Sequence, residues 1–353
     1  MEFVNLENIV DIYLGITHTP EYVNEGIPFL SVKDISKGKI DFSNCKYISV
    51  EEFNSFPKGA KPQKGDILFC RVGTIGKPII IPDDIPQFGS FVSLGFLRLK
   101  TKNWNPQFIK YWMESDLFWK QVKQNTKGAS QVNLNTNWLK KFIIPEFSIE
   151  TQNKIVEELN KITSIINLSQ IMINKYDAIV KSQFIEMFDG KYESECLYKV
   201  CDELFAGGDV KKEISSNTKS EAYPYPIYTN GEKDNGLYGY TSIYRVDKEA
   251  VTISGRGTIG FTCLRNEPFY PAVRLIVAVP NQKVISGCYL KYFIESKNYG
   301  GQGASIPQLT VPMIKNELIP LPPIEEQNRF AEFVQQIDKS KLNKVVSHLM
   351  RHT

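Results

Sequence analysis

Two glycine-rich turns carry the residue types best suited to chemistry. The first, residues 71–76, reads R-V-G-T-I-G, and the second, residues 255–260, reads G-R-G-T-I-G. The second matches the G-x-G-x-x-G turn that holds the pyrophosphate of a dinucleotide, but that site needs a helix directly after the turn. Residues 261–265 (F-T-C-L-R) have an extended pattern instead, and Pro268 follows. We therefore expect a hairpin-like turn whose glycines have positive φ, and we keep a nucleotide-binding enzyme as an alternative.

Sequence signals of catalysis are missing elsewhere in the chain. Gly76-Lys77 resembles the end of a phosphate-binding loop, but Pro78 stands where that loop needs Ser or Thr. The chain has three histidines, and neither H-E-x-x-H nor G-x-S-x-G occurs. We therefore predict that the chain has no catalytic residue, binds no metal and binds no cofactor, which points to a role in binding or assembly.

Polar side chains cluster in the two turns and in two later loops. Arginine, glutamine and asparagine pair with guanine and adenine edges, whereas threonine and serine often hold phosphates. Taken singly, each such residue is equally an ordinary turn residue, and the repeated placement is what favours a binding role. The DNA-contact candidates are Arg71, Thr74, Lys77, Lys127, Ser130, Gln131 and Asn133 in the first half of the chain, and Asn230, Lys233, Arg256, Thr258, Ser305 and Gln308 in the second.

The two turns belong to a longer internal repeat. Residues 65–76 (GDILFCRVGTIG) correspond to residues 249–260 (EAVTISGRGTIG) at an offset of 184 residues. The same order continues at an offset of 175, with G-A-S at 128–130 and 303–305, Ile-Pro at 144–145 and 319–320, and Gln-Asn at 152–153 and 327–328. Matches that keep one order along the chain indicate two diverged copies of a unit of roughly 175–190 residues.

Each copy predicts the same series of elements. A short amphipathic helix opens it (Leu6–Leu14 and Leu197–Phe205), and short strands separated by turn residues follow. An aromatic-rich helix comes next (Pro106–Gln124 and Cys288–Ser296), then the G-A-S loop, an Ile-Pro strand and a long helix. Each copy is therefore expected to be a small α/β domain, and the whole chain an α+β protein.

The first long helix, predicted from about residue 149 to 188, carries coiled-coil spacing. Its apolar residues recur at steps of four and three, which places them on one face. A shorter stripe follows in the last helix, where Lys341 interrupts the register after Ile337. Either the first helix packs only on its own domain or the two helices pair as an antiparallel coiled coil, and we favour the pair. The candidates for the coil or for partner docking are Ile155, Leu159, Ile162, Ile166, Ile173, Tyr176, Val180, Phe330, Val334 and Ile337.

Composition limits the class of protein. The 353 residues are 42% hydrophobic and 23% charged, with a net charge of +3, as in ordinary globular proteins. No run of 18 apolar residues occurs, so no membrane span is predicted. The first ten residues contain Glu2 and Glu7 and lack a cationic start, so we expect no secretory signal. Six cysteines without a C-x-x-C pair favour a reducing cytoplasm.

The chain resembles the specificity subunit of type I restriction-modification systems over nearly its whole length. The resemblance rests on the G-T-I-G turn in each half, the G-A-S…Leu…Ile-Pro segment, and the I-E-x-Q-N start of each long helix, at Ile149–Asn153 and Ile324–Asn328. It implies two similar target recognition domains, two long antiparallel helices forming a coiled coil, and a pseudo-twofold axis. The implied segments are recognition domains at 1–147 and 191–321, a central spacer helix at 148–190 and a short C-terminal helix at 322–353.

The resemblance also implies a division of labour among subunits. Each recognition domain reads one half of a split double-stranded DNA target in the major groove, and the helices set the gap between the halves and dock two modification subunits. Those partners hold S-adenosylmethionine and methylate adenine, while restriction subunits, with ATP and magnesium, join to cleave. The specificity subunit itself does no chemistry, carries no cofactor and binds no membrane. A coiled-coil scaffold with inert loops is the remaining alternative.

Overall fold

The computed structural model describes residues 2–35, 38–73, 75–126, 133–210, 212–297, 299 and 308–350, the side chains of 212 and 342–350 excepted. Contacts between residues divide the chain into two units, Met1–Ser164 and Ile165–Thr353. The boundary falls inside the longest helix, Ile149–Phe188. Among the described residues, none of the helices combines the length and the apolar character that a membrane span requires.

Unit 1 is built on two antiparallel or mixed sheets of four strands each. Its strands are β1 (Phe3–Asn5), β2 (Val10–Leu14), β3 (Tyr22–Val23), β4 (Ile27–Leu30), β5 (Lys46–Ile48), β6 (Ile67–Cys70), β7 (Gly76–Ile80), β8 (Gly89–Ser90), β9 (Leu94–Leu99) and β10 (Ile143–Pro145). Its helices are α1 (Leu6–Ile9), α2 (Val32–Ile35), α3 (Val50–Ser55), α4 (Pro106–Glu114), α5 (Asp116–Asn125), α6 (Thr136–Lys140) and the first part of α7 (Ile149–Phe188). The central sheet has the order β2-β9-β6-β7, the second sheet β3-β5-β4-β8, and β1 pairs with β10.

Unit 2 repeats this architecture strand for strand. Its strands are β11 (Ser194–Cys196), β12 (Cys201–Ala206), β13 (Ser215–Ser216), β14 (Tyr225–Tyr228), β15 (Leu237–Thr241), β16 (Ala250–Ile253), β17 (Thr262–Arg265), β18 (Tyr270–Pro271), β19 (Ile276–Pro280) and β20 (Leu318–Pro320). Its further helices are α8 (Leu197–Val200), α9 (Gly287–Ser296), α10 (Val311–Ile314) and α11 (Ile324–Met350). The sheet orders β12-β19-β16-β17, β13-β15-β14-β18 and β11-β20 confirm the predicted internal repeat and the α+β class.

The central strands form because their side chains are buried on both faces of the sheet. Along β6, Ile67 and Phe69 join the apolar core that also contains α4, while Leu68 and Cys70 join a separate core on the other face. All four side chains are fully buried. Successive strand residues point to opposite faces of the sheet. Because both faces of β6 are buried, the strand needs a continuous apolar run.

The predicted opening helices are wrong beyond their first turn. Helix α1 ends at Ile9, and the residues that follow form β2, which pairs antiparallel with β9 from Val10 opposite Leu99 to Leu14 opposite Gly95. In the second copy α8 likewise ends at Val200, and β12 follows. Pairing with the central sheet overrides the helical periodicity, because tertiary hydrogen bonds outweigh weak local propensity.

The predicted aromatic-rich helix of copy one is broken in two. Ser115 has extended backbone angles and separates α4 from α5, and its side chain accepts a hydrogen bond from Phe118 N. This is the geometry of an N-cap, which serine favours. Upstream, Asn105 caps α4 by accepting from Gln107 N, and Ser286 caps α9 in copy two by accepting from Tyr289 N.

A buried glutamine fastens the start of each long helix. In copy one, Gln152 is fully buried and accepts from Asn105 N at 2.9 Å, while its amide donates to Phe147 O at 2.9 Å and Asn103 O at 3.3 Å. The corresponding Gln327 accepts from Ser286 N at 2.9 Å and donates to the carbonyls of Pro322 and Val284. The glutamine of the I-E-x-Q-N motif therefore joins the long helix to the capping residue of α4 or α9.

Within unit 2, the last part of α7 and helix α11 pack side by side and antiparallel. Near the end of α7, the ring of Phe184 lies 5.4 Å from that of Phe330, which is near the start of α11. Further along α11, Lys341 Nζ lies 2.7 Å from Asp177 Oδ1, which comes earlier in α7. Although partial burial lowers it, the carboxylates of Asp177 and Asp338 raise the pKa of Lys341 overall. The break in the apolar stripe at Lys341 is thus an ion-pair position.

The predicted coil residues have different environments. Val180, Phe330 and Val334 are buried in one apolar core, with Ile337 packed against it. Ile162 and Ile166 are 52% and 61% exposed, so neither is buried against the described residues. The remaining members of the series are partly buried, namely Ile155, Leu159, Ile173 and Tyr176.

Candidate nucleic-acid interface

The candidate site of unit 1 lies at one edge of its central sheet, where β6 ends and β7 and β9 begin. At this edge, called the first turn edge, the chain segments at 71–77, 91–94 and 133–135 come together. Arg71 N donates to Ser93 O at 2.9 Å, and Leu134 N donates to Arg71 O at 2.9 Å. Val72 and Asn133 also form an isolated antiparallel bridge. Three loops distant in sequence are therefore joined through their backbones.

The Arg71 side chain strengthens this junction. Its Nε donates to Leu134 O at 3.1 Å, and its Nη1 donates to Val92 O at 2.8 Å. The guanidinium is half-buried, and burial lowers the pKa of Arg71 from its usual value, although an arginine stays charged near neutral pH. Two of its five donors are thus used to hold backbone carbonyls, so the position of Arg71 is that of a brace for the turn.

The glycine turns have the predicted backbone conformation. Gly73 and Gly76 have φ of +75° and +84°, and their counterparts Gly257 and Gly260 have +67° and +83°. The prediction of positive φ is therefore confirmed for these four glycines and is wrong for Gly255, which does not have a positive φ. Lys77, the exposed residue that follows the first turn, also has a positive φ of +52°.

The second turn edge, at 230–231, 254–261, 272–275 and 308–309, keeps one of these backbone hydrogen bonds. Leu309 N donates to Gly255 O at 2.9 Å, as Leu134 does to Arg71. Asn230 provides the side-chain brace: its Oδ1 accepts from Gly255 N at 2.7 Å, and its Nδ2 donates to Val273 O at 3.1 Å.

Two predicted DNA-contact residues meet at the second turn edge. Gln308 Oε1 accepts from Arg256 Nε at 3.2 Å and from Arg256 Nη2 at 3.1 Å. Arg256 is exposed, so this pair holds a charged fork at the surface in a defined orientation. Thr258 is exposed in the same turn, and Lys233 is exposed in a short 3-10 segment at Lys233–Gly236.

Some candidates lie outside the described residues, and one exposed cation at this edge was not predicted. The candidates outside the description are Thr74, Lys127, Ser130, Gln131 and Ser305. The unpredicted cation is Arg274, which lies in the turn before β19 with a φ of +68°. No motif surrounds it in sequence. Its position opposite Gly255 follows only from the pairing of β16 with β19, which places the turn before β19 beside the end of β16. The pairing of β6 with β9 places the turn before β9 in the same way in unit 1.

Chemistry other than binding finds no support among the described residues. No group of three or more histidine, cysteine or acidic side chains is placed to hold a metal. Burial raises the pKa of Cys70 to about 11 and that of Cys201 to about 12, so neither thiol is a ready nucleophile at neutral pH. After Gly260 the chain enters β17 rather than a helix, so the dinucleotide alternative lacks its helix N-terminus.

Comparison with known proteins gives a family. The sequence pattern of the family described as Type I restriction modification DNA specificity domain matches residues 1–175 and 201–347. A Mycoplasma pneumoniae protein named as a type I specificity subunit is 24% identical over 335 residues, covering 92% of this chain and 86% of that relative. The specificity subunit of the Escherichia coli type I restriction enzyme EcoBI is 28% identical over 161 residues, covering 44% of this chain and 34% of that subunit.

Solved structures share the fold. The crystal structure of the S subunit of a type I restriction-modification system from M. genitalium matches with a TM-score of 0.52 at 16% identity, over 99% of this chain and 93% of that one. A chain from a structural study of type I system assembly and conformational transition matches with a TM-score of 0.54 at 17% identity, with the same coverage. At these identities the likeness concerns the fold alone.

Proposed function

Because this chain belongs to the type I restriction-modification DNA specificity family, we propose that each of its two units reads one half of a split double-stranded DNA target. The chain is a non-catalytic DNA-recognition subunit, and it works with partner subunits in a type I complex. In this proposal the first turn edge contacts one half of the target and the second turn edge contacts the other.

One observation supports two different half-sites: the two turn edges share a backbone arrangement but expose different side chains. Both copies join the glycine turn to the segment that follows the G-A-S loop by the same backbone bond, at Leu134 and at Leu309. The exposed groups differ, with Lys77 at the first edge and the Arg256–Gln308 pair at the second. A common frame with different polar side chains suits the reading of two unlike sequences, because base edges differ in donors and acceptors.

The helices α7 and α11 are proposed to set the gap between the half-sites and to bind two modification subunits. Supporting this, α7 exposes large apolar side chains along its middle, with Ile162, Ile166 and Ile171 each at least 50% exposed. Ile162 and Ile166 lie one turn apart on the same face of the helix, and exposed apolar surface of this kind marks protein-binding sites in soluble proteins. The predicted coil residues Ile162 and Ile166 would then contact a partner rather than this chain.

The remaining parts of the reaction are proposed to belong to the partners. Modification subunits would hold S-adenosylmethionine, and restriction subunits would use ATP and magnesium, while this chain binds no cofactor. Acting on the DNA of the host cell, the complex would work in the cytoplasm. The boundaries proposed for the functional segments are recognition domains at 1–147 and 191–321 with helices at 148–190 and 322–353.

The proposal is tested by selection of binding sites from random DNA duplexes. The full chain, assembled with its modification subunits, is expected to select two short sequences separated by a fixed gap. Simultaneous substitution of Arg71, Gln131, Arg256 and Gln308 by alanine should then weaken the selected preference. Selection of a single continuous site, or of none, contradicts the two-half reading, and an unchanged preference in the fourfold variant favours the scaffold alternative.

A further inference from the structure

Arg274 occupies a turn position that ordinarily belongs to glycine. The turn Ala272–Leu275 closes with Leu275 N donating to Ala272 O at 3.1 Å, and its third residue, Arg274, has a φ of +68°. Because Val273 does not have a positive φ, positive φ at the third residue alone is the pattern of a type II turn, which favours glycine or asparagine there because a Cβ is poorly tolerated in the left-handed region. The chain therefore has a long charged side chain at a position where the backbone conformation favours glycine.

The structure around Arg274 holds this conformation from several sides. Asn230 Nδ2 binds the carbonyl of the preceding residue, Val273, at 3.1 Å. Arg274 N donates to Gly207 O at 3.4 Å. The Arg274 carbonyl oxygen would lie 2.8 Å from a Cβ at Gly255, so only glycine fits opposite it. Unfavourable backbone conformations persist where their surroundings over-determine them, and such residues cluster at functional sites.

The Arg274 side chain makes no hydrogen bond or ion pair within the described chain. It is exposed, and among the described residues no acceptor lies within hydrogen-bond or ion-pair distance of its guanidinium. It stands at the second turn edge with Arg256, whose Nε and Nη2 are already bound by Gln308. One arginine at this edge is thus held in place by a side chain, and the other is presented to solvent from a fixed turn.

We propose that Arg274 reads a guanine in the second half of the DNA target, donating to its O6 and N7. This inference rests on the proposed function of the second turn edge. The arginine fork matches those two acceptors, and the turn fixes the backbone from which the fork extends. Copy one has Ser93 at the corresponding place in the turn Phe91–Leu94, so this contact belongs to one half-site only.

The test uses the full chain with its modification subunits and duplexes carrying the target that the wild-type complex selects. Arg274→Gly suits the backbone, so its thermal unfolding midpoint is expected to equal or exceed that of the wild type. Its affinity for the target should fall roughly 10- to 100-fold, with the loss confined to duplexes that keep the guanine. Arg274→Lys, which keeps the charge but not the fork, should lose discrimination at the same base pair.

Lys283 provides a matched control, because it is an exposed cation beyond the opposite end of β19. Lys283→Ala should leave affinity within about twofold of the wild type, as expected for a cation away from the DNA. Arg274 is not a base reader if Arg274→Gly binds like the wild type, if Arg274→Lys restores discrimination, or if the loss is uniform across sequences. A wild-type complex that selects no two-part target would instead overturn the proposed function, and this inference with it.

Discussion

In unit 1 the carbonyl oxygen of Val92 is bound by Arg71, whereas in unit 2 the corresponding oxygen, of Val273, is bound by Asn230. Arg71 comes from the glycine turn itself, and Asn230 comes from the segment after β14. The residue aligned with Arg71 is Gly255, where the Arg274 carbonyl leaves no room for a side chain. The two copies therefore keep one backbone frame while the side chain that braces it changes.

This difference shows which parts of the repeat are free to vary. Backbone bonds at Leu134 and Leu309 hold the turn in both copies, and the buried glutamines hold the long helices in both. The contact that both braces share is a hydrogen bond to the carbonyl of Val92 or Val273, which an arginine or an asparagine can donate. The exposed cations differ between the copies as well, with Lys77 at the first turn edge and Arg256 at the second.

The apolar contact of the long helices should differ most between the copies. Phe330 is fully buried among aromatic rings, including those of Phe184 and Phe188, while its counterpart in α7, Ile155, is only partly buried. Phe330→Ala is expected to lower the free energy of unfolding by about 3–5 kcal/mol. Ile155→Ala should cost about 1–2 kcal/mol, because less apolar surface leaves water there. Urea unfolding of the full chain measures both, and equal losses would mean that the two contacts are alike.

The buried glutamines should instead behave alike. Gln152→Ala and Gln327→Ala each remove three hydrogen bonds between a buried side chain and partly buried backbone groups, at a cost of about 2–3 kcal/mol each. Hydrogen exchange should show faster opening in the substituted unit only. Asn328→Ala, at the exposed neighbouring position, is the control and should change neither exchange nor stability. Losses that differ by more than about 1 kcal/mol between the two glutamines would contradict this symmetry.

The two braces should act on different half-sites. Arg71→Leu and Asn230→Ala each remove two side-chain hydrogen bonds, so each is expected to lower stability by about 1–2 kcal/mol. Affinity is measured on duplexes in which one half of the selected target is scrambled. The Arg71 variant should lose its preference for the first half, and the Asn230 variant its preference for the second. Loss of both preferences in either variant would contradict the claim that each brace acts on one half-site.

The ion pair of the helix contact in unit 2 should have the smallest effect. Lys341→Met is expected to cost about 1 kcal/mol or less near neutral pH, because Asp177 and Asp338 are largely exposed. Since the pKa of Lys341 is raised in the folded chain, its contribution is present below the unfolded value of about 10.5 and is lost as pH rises above it. Unfolding free energies of both proteins at pH 7 and pH 11 test this, and a gap that widens at pH 11 would be the wrong sign.

Much of the fold could be predicted from the sequence because the repeat supplies two versions of each signal. The glycine turns could be predicted, because the glycines of G-T-I-G at both places favour a turn with positive φ. Helix α7 is legible because its apolar period persists for many turns. The sequence predicts helix where β2 and β12 form, because the apolar spacing there suits both periods and only pairing with β9 and β19 decides between them.

The location of the candidate site could be predicted from the sequence, but the contacts between its residues could not. Arginine and amide residues around the turns were predicted, and the structure brings Arg256 and Gln308 together. The bracing roles of Arg71 and Asn230 depend on carbonyls far away in sequence, which no local pattern reveals. Arg274 was missed because its importance lies in a turn type and in its nearness to Gly255, both set by tertiary packing.

The central claim is that two separate edges of one chain read two separate pieces of DNA. Sequencing of methylated adenines in the DNA of cells that carry this chain with its modification subunits, compared with cells that lack only this chain, tests it most directly. Methylation is expected within a two-part motif with a fixed unspecified gap, and it should be absent when the chain is absent. Methylation in a single continuous motif, or a pattern unchanged without the chain, would contradict it.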